Sequence, residues 1–251
     1  MLRSSSWVRP GWHAMGPILV TLGVLVLALS PVGYRLGWFG VGIALLRLIP
    51  VALALCAAGL VVSLIAIVRT PAEVGWSGSV APWAAVAVAI AISIVPILGI
   101  LHARQVPRIH DITTDTDAPP AFVALAAARI ASPNGLDYEG GQVASAQKAA
   151  YPDVKTLFSK LSPDALFARA QQAVRDAGWQ VAEANAGQWR IEAVDTTRLY
   201  GFKDDIVVVI RSDANGSRLD MRSASRVGHS DLGVNAARIR AFLARVTQGA
   251  Q

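Results

Sequence analysis

Three long apolar runs near the N-terminus constrain this chain more than any other feature of its sequence. They cover about residues 17–38, 48–68 and 80–101, and each has close to the roughly 20 helical residues that cross the hydrocarbon core of a bilayer. The third run also alternates with the period of a strand, but it is far too long for one. Trp38, Trp76 and Trp83 stand at run ends, which is typical of an interfacial aromatic belt. We predict a membrane anchor of three transmembrane helices in residues 1–102 and a soluble domain in residues 103–251.

Charged residues are almost absent from the predicted anchor. Histidines aside, its charged side chains are Arg3, Arg9, Arg35, Arg47, Arg69 and Glu73. We expect Arg47, at the edge of the second run, to extend its side chain toward the interface. Transporters and proton relays normally need charge inside the membrane, so the anchor is predicted to be a tether rather than a conduit.

Small residues recur at four-residue spacing in the second and third runs. Gly59 and Ser63 form one such pair, and Ala85, Ala89 and Ser93 form a second stripe. Stripes of this kind allow helices to approach closely in lipid. Packing within one three-helix bundle is favoured over a dimer interface as their purpose.

The first run could instead be a signal peptide, because Ala28 and Ser30 resemble a cleavage site. Pro31 would directly follow the cut and a long tail precedes the run, so an uncleaved helix is favoured. The arginines that flank the runs do not fix an orientation, because their numbers on the two sides are similar. One side has Arg3, Arg9 and Arg69, and the other has Arg35, Arg47, Arg104 and Arg108.

The net charge of +6 does not indicate a nucleic-acid partner. Residues 103–251 hold 18 Lys or Arg against 16 Asp or Glu, whereas a nucleic-acid binder concentrates positive charge on its soluble face. Cys56 is the single cysteine and lies in an apolar run. An intrachain disulfide and a cysteine-ligated metal site are therefore excluded, and we expect no cofactor.

The soluble domain is predicted to be α+β, with a helix, four antiparallel strands and a second helix. Residues 102–162 are rich in turn-forming residues and read as an extended segment that wraps the domain, with a short helix near residues 122–129. Ser162 caps a helix that Gly178 ends. The strands are predicted at 179–184, 188–195, 205–211 and 218–223, and the last helix at 234–247.

Several segments of this domain resemble an uncharacterised family, domain of unknown function 1499. They are DITTD (111–115), YPD (151–153), AGW (177–179), IEAVDTT (191–197), GFKDDIVVVI (201–210) and RSASRVGHSDLGVNAARIRAF (222–242). The resemblance implies no activity, because the family has none established. Some of its members look like lipoproteins or lumenal plastid proteins, which implies a domain outside the cytoplasm. We therefore expect a bacterial inner-membrane protein with its C-terminal domain in the periplasm.

The densest polar chemistry follows the last predicted strand and enters the last helix. With two aspartates of the preceding strand, the cluster comprises Asp204, Asp205, Arg222, Ser223, Ser225, Arg226, Asp231, Asn235 and Arg238. In one interpretation the arginines and the helix N-terminus hold an anionic ligand, such as a phosphate or carboxylate head group. In the other, Asp231 or Ser230 caps the helix and Arg222 or Arg226 pairs with the aspartates. Similar numbers of Arg and Asp favour the structural interpretation.

No established catalytic motif accompanies this cluster. The sequence has no GxSxG, HExxH or P-loop, and nothing marks Ser225, four residues before His229, as a nucleophile. Asp111, Asp115 and Asp117 resemble part of a calcium loop but lack its Gly and terminal Glu. We favour a non-enzymatic binding or scaffolding module beside the bilayer, with a protein partner or a lipid head group as its ligand. The alternative is a hydrolase-like enzyme that uses Asp204, Asp205 or Asp231 on an anionic substrate.

Overall fold

A computed structural model describes residues 10–69 and 80–248 of the 251-residue chain. It divides into two compact units, one up to Leu101 and one from His102 onward. Arg3, Arg9, Glu73 and Trp76, which entered the sequence argument, lie outside the described residues.

The first unit is helical. Its helices are α1 (Pro10–Arg35), α2 (Val41–Ile43), α3 (Ile49–Arg69) and α4 (Val80–Ala103), and a π-helical turn (Ala44–Leu48) joins α2 to α3. Three of the described helical stretches are long and apolar enough to cross a membrane: His13–Arg35, Val41–Arg69 and Val80–Ala103. The prediction of three such helices is confirmed. The first ends before Trp38 because Gly37 takes a left-handed φ of 72°.

Small residues lie where α1 contacts α3. A Cβ added to Gly59 would stand 2.6 Å from Val20 Cγ2, and one added to Gly23 would stand 2.6 Å from Cys56 Sγ. Both approaches are closer than real carbon contacts allow. Glycine is therefore what allows these two helices to pack at this distance.

Among its described residues, the second unit contains six strands, four α-helices and a 3₁₀ turn at Ala186–Gln188. The strands are β1 (Asp111–Thr113), β2 (Leu157–Ser159), β3 (Gln180–Asn185), β4 (Arg190–Thr196), β5 (Lys203–Asp213) and β6 (Gly216–Ser225). The helices are α5 (Ala126–Ile130), α6 (Gly141–Ala150), α7 (Pro163–Asp176) and α8 (Val234–Gln248). The sheet is antiparallel with the order β1-β6-β5-β4-β3, and β2 also pairs with β6.

The predicted α+β architecture is confirmed, but the sheet has two more strands than the four predicted. Residues 102–162, predicted to be largely irregular, contribute β1, β2, α5 and α6. Both extra strands have three residues, which is too short to show a period of two. Helix α6 was missed because it lacks an apolar stripe: it buries Gln147, whose amide bonds to both the N–H and the C=O of Thr113.

Helices α7 and α8 cover one face of the sheet, called here the helix face. Ser162 Oγ accepts a hydrogen bond from Ala165 N at 3.3 Å, and Gly178 has a φ of 72°, so both predicted ends of α7 are found. Alternate strand residues point into this layer, including Ile191, Ala193, Ile206, Val208 and Ile210. Phe242 of α8 is fully buried among them and stacks on Trp179 at 5.6 Å.

The opposite face, called here the segment face, is covered by residues 114–139. Phe122, Leu125 and Leu136 of that segment pack on Val207 and its strand neighbours. Glu192, which is fully buried in β4, accepts the backbone N–H groups of Val123 at 2.7 Å and Leu125 at 2.9 Å. A buried carboxylate thus attaches an irregular segment to the sheet.

Candidate functional site

The sheet divides the nine residues of the predicted polar cluster between two networks. Successive residues of a strand point to opposite faces, so Asp204 lies on the helix face and Asp205 on the segment face. The register of β5 and β6 puts Ser223 and Ser225 on the same face as Asp204. It puts Arg222 on the same face as Asp205.

Arg238 organises the charges on the helix face. Its Nη2 donates to Asp204 Oδ2 at 2.7 Å and to Asp195 Oδ2 at 2.8 Å. The Arg238 and Asp204 side chains are 5% and 6% exposed, so water does not screen this pair appreciably. Asp195, from β4, was not among the predicted cluster residues.

Neutral groups complete the helix-face network. Ser223 Oγ donates to Asn235 Oδ1 at 2.7 Å, and Asn235 Nδ2 donates to Ser225 Oγ at 3.1 Å and to His110 O at 3.0 Å. Asn235 and Ser223 are fully buried. Their bonds connect α8 to the last residues of β6.

Asp231 closes the first turn of α8. Its carboxylate accepts from Gly233 N at 2.8 Å and Asn235 N at 3.1 Å. Burial raises the pKa of Asp231 more than these bonds lower it. The position and the bonds are those of a capping residue.

Two bidentate ion pairs lie on the segment face. Arg222 donates through Nε and Nη2 to Asp111, with distances of 2.9 and 2.6 Å, and both side chains are 3% exposed. Arg226 donates in the same manner to Asp205, at 2.9 and 2.7 Å. Arg222 Nη2 also bonds to Leu136 O at 3.1 Å, which attaches the covering segment.

Arg129 was missed by sequence reasoning and is the most buried arginine of the segment face. It is 0% exposed, and its Nη1 donates to Asp205 Oδ2 at 3.2 Å and to Ala224 O at 3.0 Å. Its Nε and Nη2 have no hydrogen-bond partner among the described residues. Phe122 lies 4.9 Å from both Arg129 Cζ and Arg222 Cζ, in the range of cation–π contacts. Burial lowers the pKa of Arg129.

An open cleft of about 720 Å³ was also missed. It lies at the edge of the sheet where β1 and β2 both pair with β6. Its lining residues are Thr114, Asp115, Thr116, Asp117, Gln147, Lys148, Tyr151, Pro152, Val154, Lys155, Thr156, Phe158 and Arg218. None of the nine predicted cluster residues is among them.

Asp220 holds the edge of this cleft together. It lies in β6 between the residues paired with β1 and those paired with β2. Thr114 Oγ1 and Thr156 Oγ1 donate to its Oδ1 at 3.2 and 2.5 Å, and Arg218 Nη2 donates to its Oδ2 at 2.6 Å. One buried carboxylate therefore joins the two ends of the chain segment that connects β1 to β2.

Asp115, considered above as part of a calcium loop, caps a turn at this cleft. Its carboxylate accepts from Ala118 N at 2.9 Å and Asp117 N at 3.1 Å and pairs with Arg218 at 2.9 Å. Partial burial raises the pKa of Asp115, but these donors outweigh it and the net shift is downward. Within residues 10–69 and 80–248, no three His, Cys, Asp or Glu side chains are grouped to hold a metal ion.

Comparison with known proteins gives a family but no activity. The model of the family described as "Protein of unknown function (DUF1499)" matches residues 111–246. This match spans β1 to α8 and covers more than half of the chain. No curated protein matches the sequence. The chain belongs to the DUF1499 family, joined here to three apolar helices that are able to span a membrane.

Proposed function

We propose that this protein is a membrane-anchored, non-enzymatic binding module of the bacterial cell envelope, and that its open cleft holds a segment of a partner protein. The observation that carries the proposal is the contrast between the predicted polar cluster and the cleft. The predicted cluster is buried and internally paired, whereas the cleft is open and lined by side chains that can meet a ligand.

The ion pairs of the cluster join different parts of the same domain to one another. Arg222, Arg226 and Arg238 each donate to an aspartate of the same domain. Breaking an ion pair of this kind in a buried environment is costly, because the remaining partner becomes an uncompensated buried charge. An external anion would have to displace a carboxylate already held in good geometry.

The hydrolase-like alternative is less well supported by this geometry. Asp204, Asp205 and Asp231 are 4%, 0% and 9% exposed, and none of them lines the cleft. A general acid or base must come within hydrogen-bond reach of a substrate proton.

The cleft combines an exposed aromatic ring with exposed charges. Phe158 of β2 is 64% exposed. Lys148 and Asp117 form an exposed pair, with side chains 59% and 86% exposed, and Lys155 makes no ion pair with the described residues. Aromatic anchors with a polar rim are typical of protein interfaces. A protein segment therefore fits better than a lipid head group, which needs mainly charge.

The proposal is tested by photo-crosslinking in cells, with a benzophenone side chain in place of Phe158 on the full chain. We expect one discrete protein adduct, which Lys155→Glu diminishes several-fold. Val181, 45% exposed on β3, provides the matched control position. Crosslinks to lipid alone, or the same adduct from both positions, would contradict the proposal.

The envelope location is tested separately. In a Cys56→Ala background, Phe158→Cys gives a chain with one exposed thiol. We propose a periplasmic domain, so a membrane-impermeant maleimide should label this thiol in spheroplasts. Labelling that requires lysis would place the domain in the cytoplasm instead.

A further inference from the structure

The connection between β4 and β5 is a preformed loop with apolar, aromatic and basic side chains. Residues 198–203, called here the 198–203 loop, have the sequence RLYGFK. Leu199 is 65% exposed, and the rings of Tyr200 and Phe202 stack at 4.9 Å with an interplanar angle of 4°. Arg198 and Lys203 are exposed. This composition is unusual for a solvated turn, because a leucine side chain that stays in water forgoes the favourable free energy of burial.

Backbone bonds fix the shape of this loop. Thr197 N donates to Phe202 O and Gly201 N donates to Thr197 O, both at 2.9 Å, and Phe202 N donates to Thr197 Oγ1 at 2.9 Å. Gly201 has a φ of 73°, which only glycine adopts without strain. The loop therefore presents Leu199 without a large loss of conformational entropy on binding.

The sheet register places the 198–203 loop at the end of the sheet where β1 begins. Lys203 pairs with Thr196, and its C=O accepts from Arg226 N just beyond the end of β6. Asp111, the first residue of β1, pairs with Ala224 at this same end. Seven residues, 104–110, separate the end of α4 from β1. Such a length reaches at most about 25–30 Å, and this limit comes from chain connectivity alone.

We propose that the 198–203 loop contacts the interfacial region of the bilayer that the apolar helices cross. Leu199 would enter below the head groups, the stacked rings would lie at head-group depth, and Arg198 and Lys203 would meet anionic head groups. Aromatic side chains favour this depth, and basic residues near an anionic leaflet are attracted to its head groups. We assign lipid as the binding partner, because the loop presents an apolar side chain, two aromatic rings and two basic side chains. These match the successive layers of one leaflet.

This contact has a consequence for the cleft. Asp220, at the edge of the cleft, precedes Ser225 by five residues along β6, which is about 17 Å. A domain that rests on the 198–203 loop would hold its cleft away from the lipid surface.

The test uses the full chain in vesicles and exploits the single native cysteine. In a Cys56→Ala background, an environment-sensitive fluorophore is attached at Leu199→Cys or, as control, at Phe158→Cys. These positions are 65% and 64% exposed and lie toward opposite ends of the sheet. Both labelled chains must keep the melting temperature of the parent.

Vesicles of phosphatidylcholine with phosphatidylglycerol carry a spin-labelled lipid as quencher. We expect several-fold stronger quenching and a blue-shifted emission at position 199 relative to position 158. Replacing phosphatidylglycerol by phosphatidylcholine should weaken the quenching at 199. Equal quenching at both positions would overturn the proposed contact, and quenching that is independent of lipid charge would overturn the assigned role of Arg198 and Lys203. Neither outcome depends on a ligand in the cleft.

Discussion

The two faces of the sheet are built on the same strands but are held by different forces. The helix face buries aliphatic and aromatic side chains beneath two capped helices, and its polar network lies at one end. The segment face buries ion pairs beneath an irregular stretch, residues 114–139, whose one helix is the short α5. Apolar burial therefore supplies stability on one side, while matched charges fix the position of a segment on the other.

Hydrophobic burial on the helix face predicts the largest single effect. Phe242→Ala should lower the free energy of unfolding by about 3–5 kcal/mol, because the fully buried ring leaves a cavity and loses its contact with Trp179. Phe158→Ala, at an exposed ring, should change it by less than about 0.5 kcal/mol. Guanidinium unfolding of the full chain in detergent, followed by near-ultraviolet circular dichroism, measures both. Similar losses for the two variants would contradict the assignment of the core.

Breaking a buried charge pair on the segment face should cost nearly as much. Asp205→Ala removes the partner of both Arg129 and Arg226, and we expect a loss of about 3–5 kcal/mol. Asp213→Ala, at the exposed end of the same strand, is the control and should be almost neutral. If Asp205→Ala were as mild as its control, the segment face would not be closed by these ion pairs.

The start of α8 allows a finer comparison between charge and hydrogen bonding. The pKa of Asp231 is raised above its value of 3.8, so this carboxyl favours the folded state at low pH, and that contribution is lost as the pH rises through its folded-state pKa. Asp231→Asn keeps an acceptor and removes the buried charge, so at pH 7 it should be at least as stable as the parent. Asp231→Ala loses the cap and should cost about 1 kcal/mol. Urea unfolding of the three chains between pH 4 and pH 8 would refute this if Asn and Ala proved equally harmful at pH 7.

The sequence predicted those parts of the fold whose signals are local. The caps of α7 and the strands β4 and β5 are encoded within a few residues. Strands β1 and β2 are too short for a pattern to emerge, and their pairing with β6 depends on contacts far apart in the chain. The bond from Arg222 to Asp111 spans 111 residues and that from Arg129 to Asp205 spans 76, so no local signal could have indicated them.

The candidate site shows the same limit. The nine cluster residues were found because they are dense in sequence, but density does not tell which face each occupies. One signal was available: Asp204 and Asp205 are adjacent in a strand and must point to opposite faces. The cleft had no comparable signal, because its lining comes from β2, β6, α6 and the loops around them.

A double-mutant cycle on Arg222 and Asp111 tests directly whether this ion pair positions the covering segment. Arg222→Met and Asp111→Leu alone should each cost about 3–5 kcal/mol by stranding a buried charge. Together they remove both charges, so the double variant should lose about 1–3 kcal/mol less than the sum of the two single losses. Full-chain unfolding in detergent measures all four corners. Additive losses would contradict this expectation, because they would mean that the two side chains contribute to stability independently rather than as one ion pair.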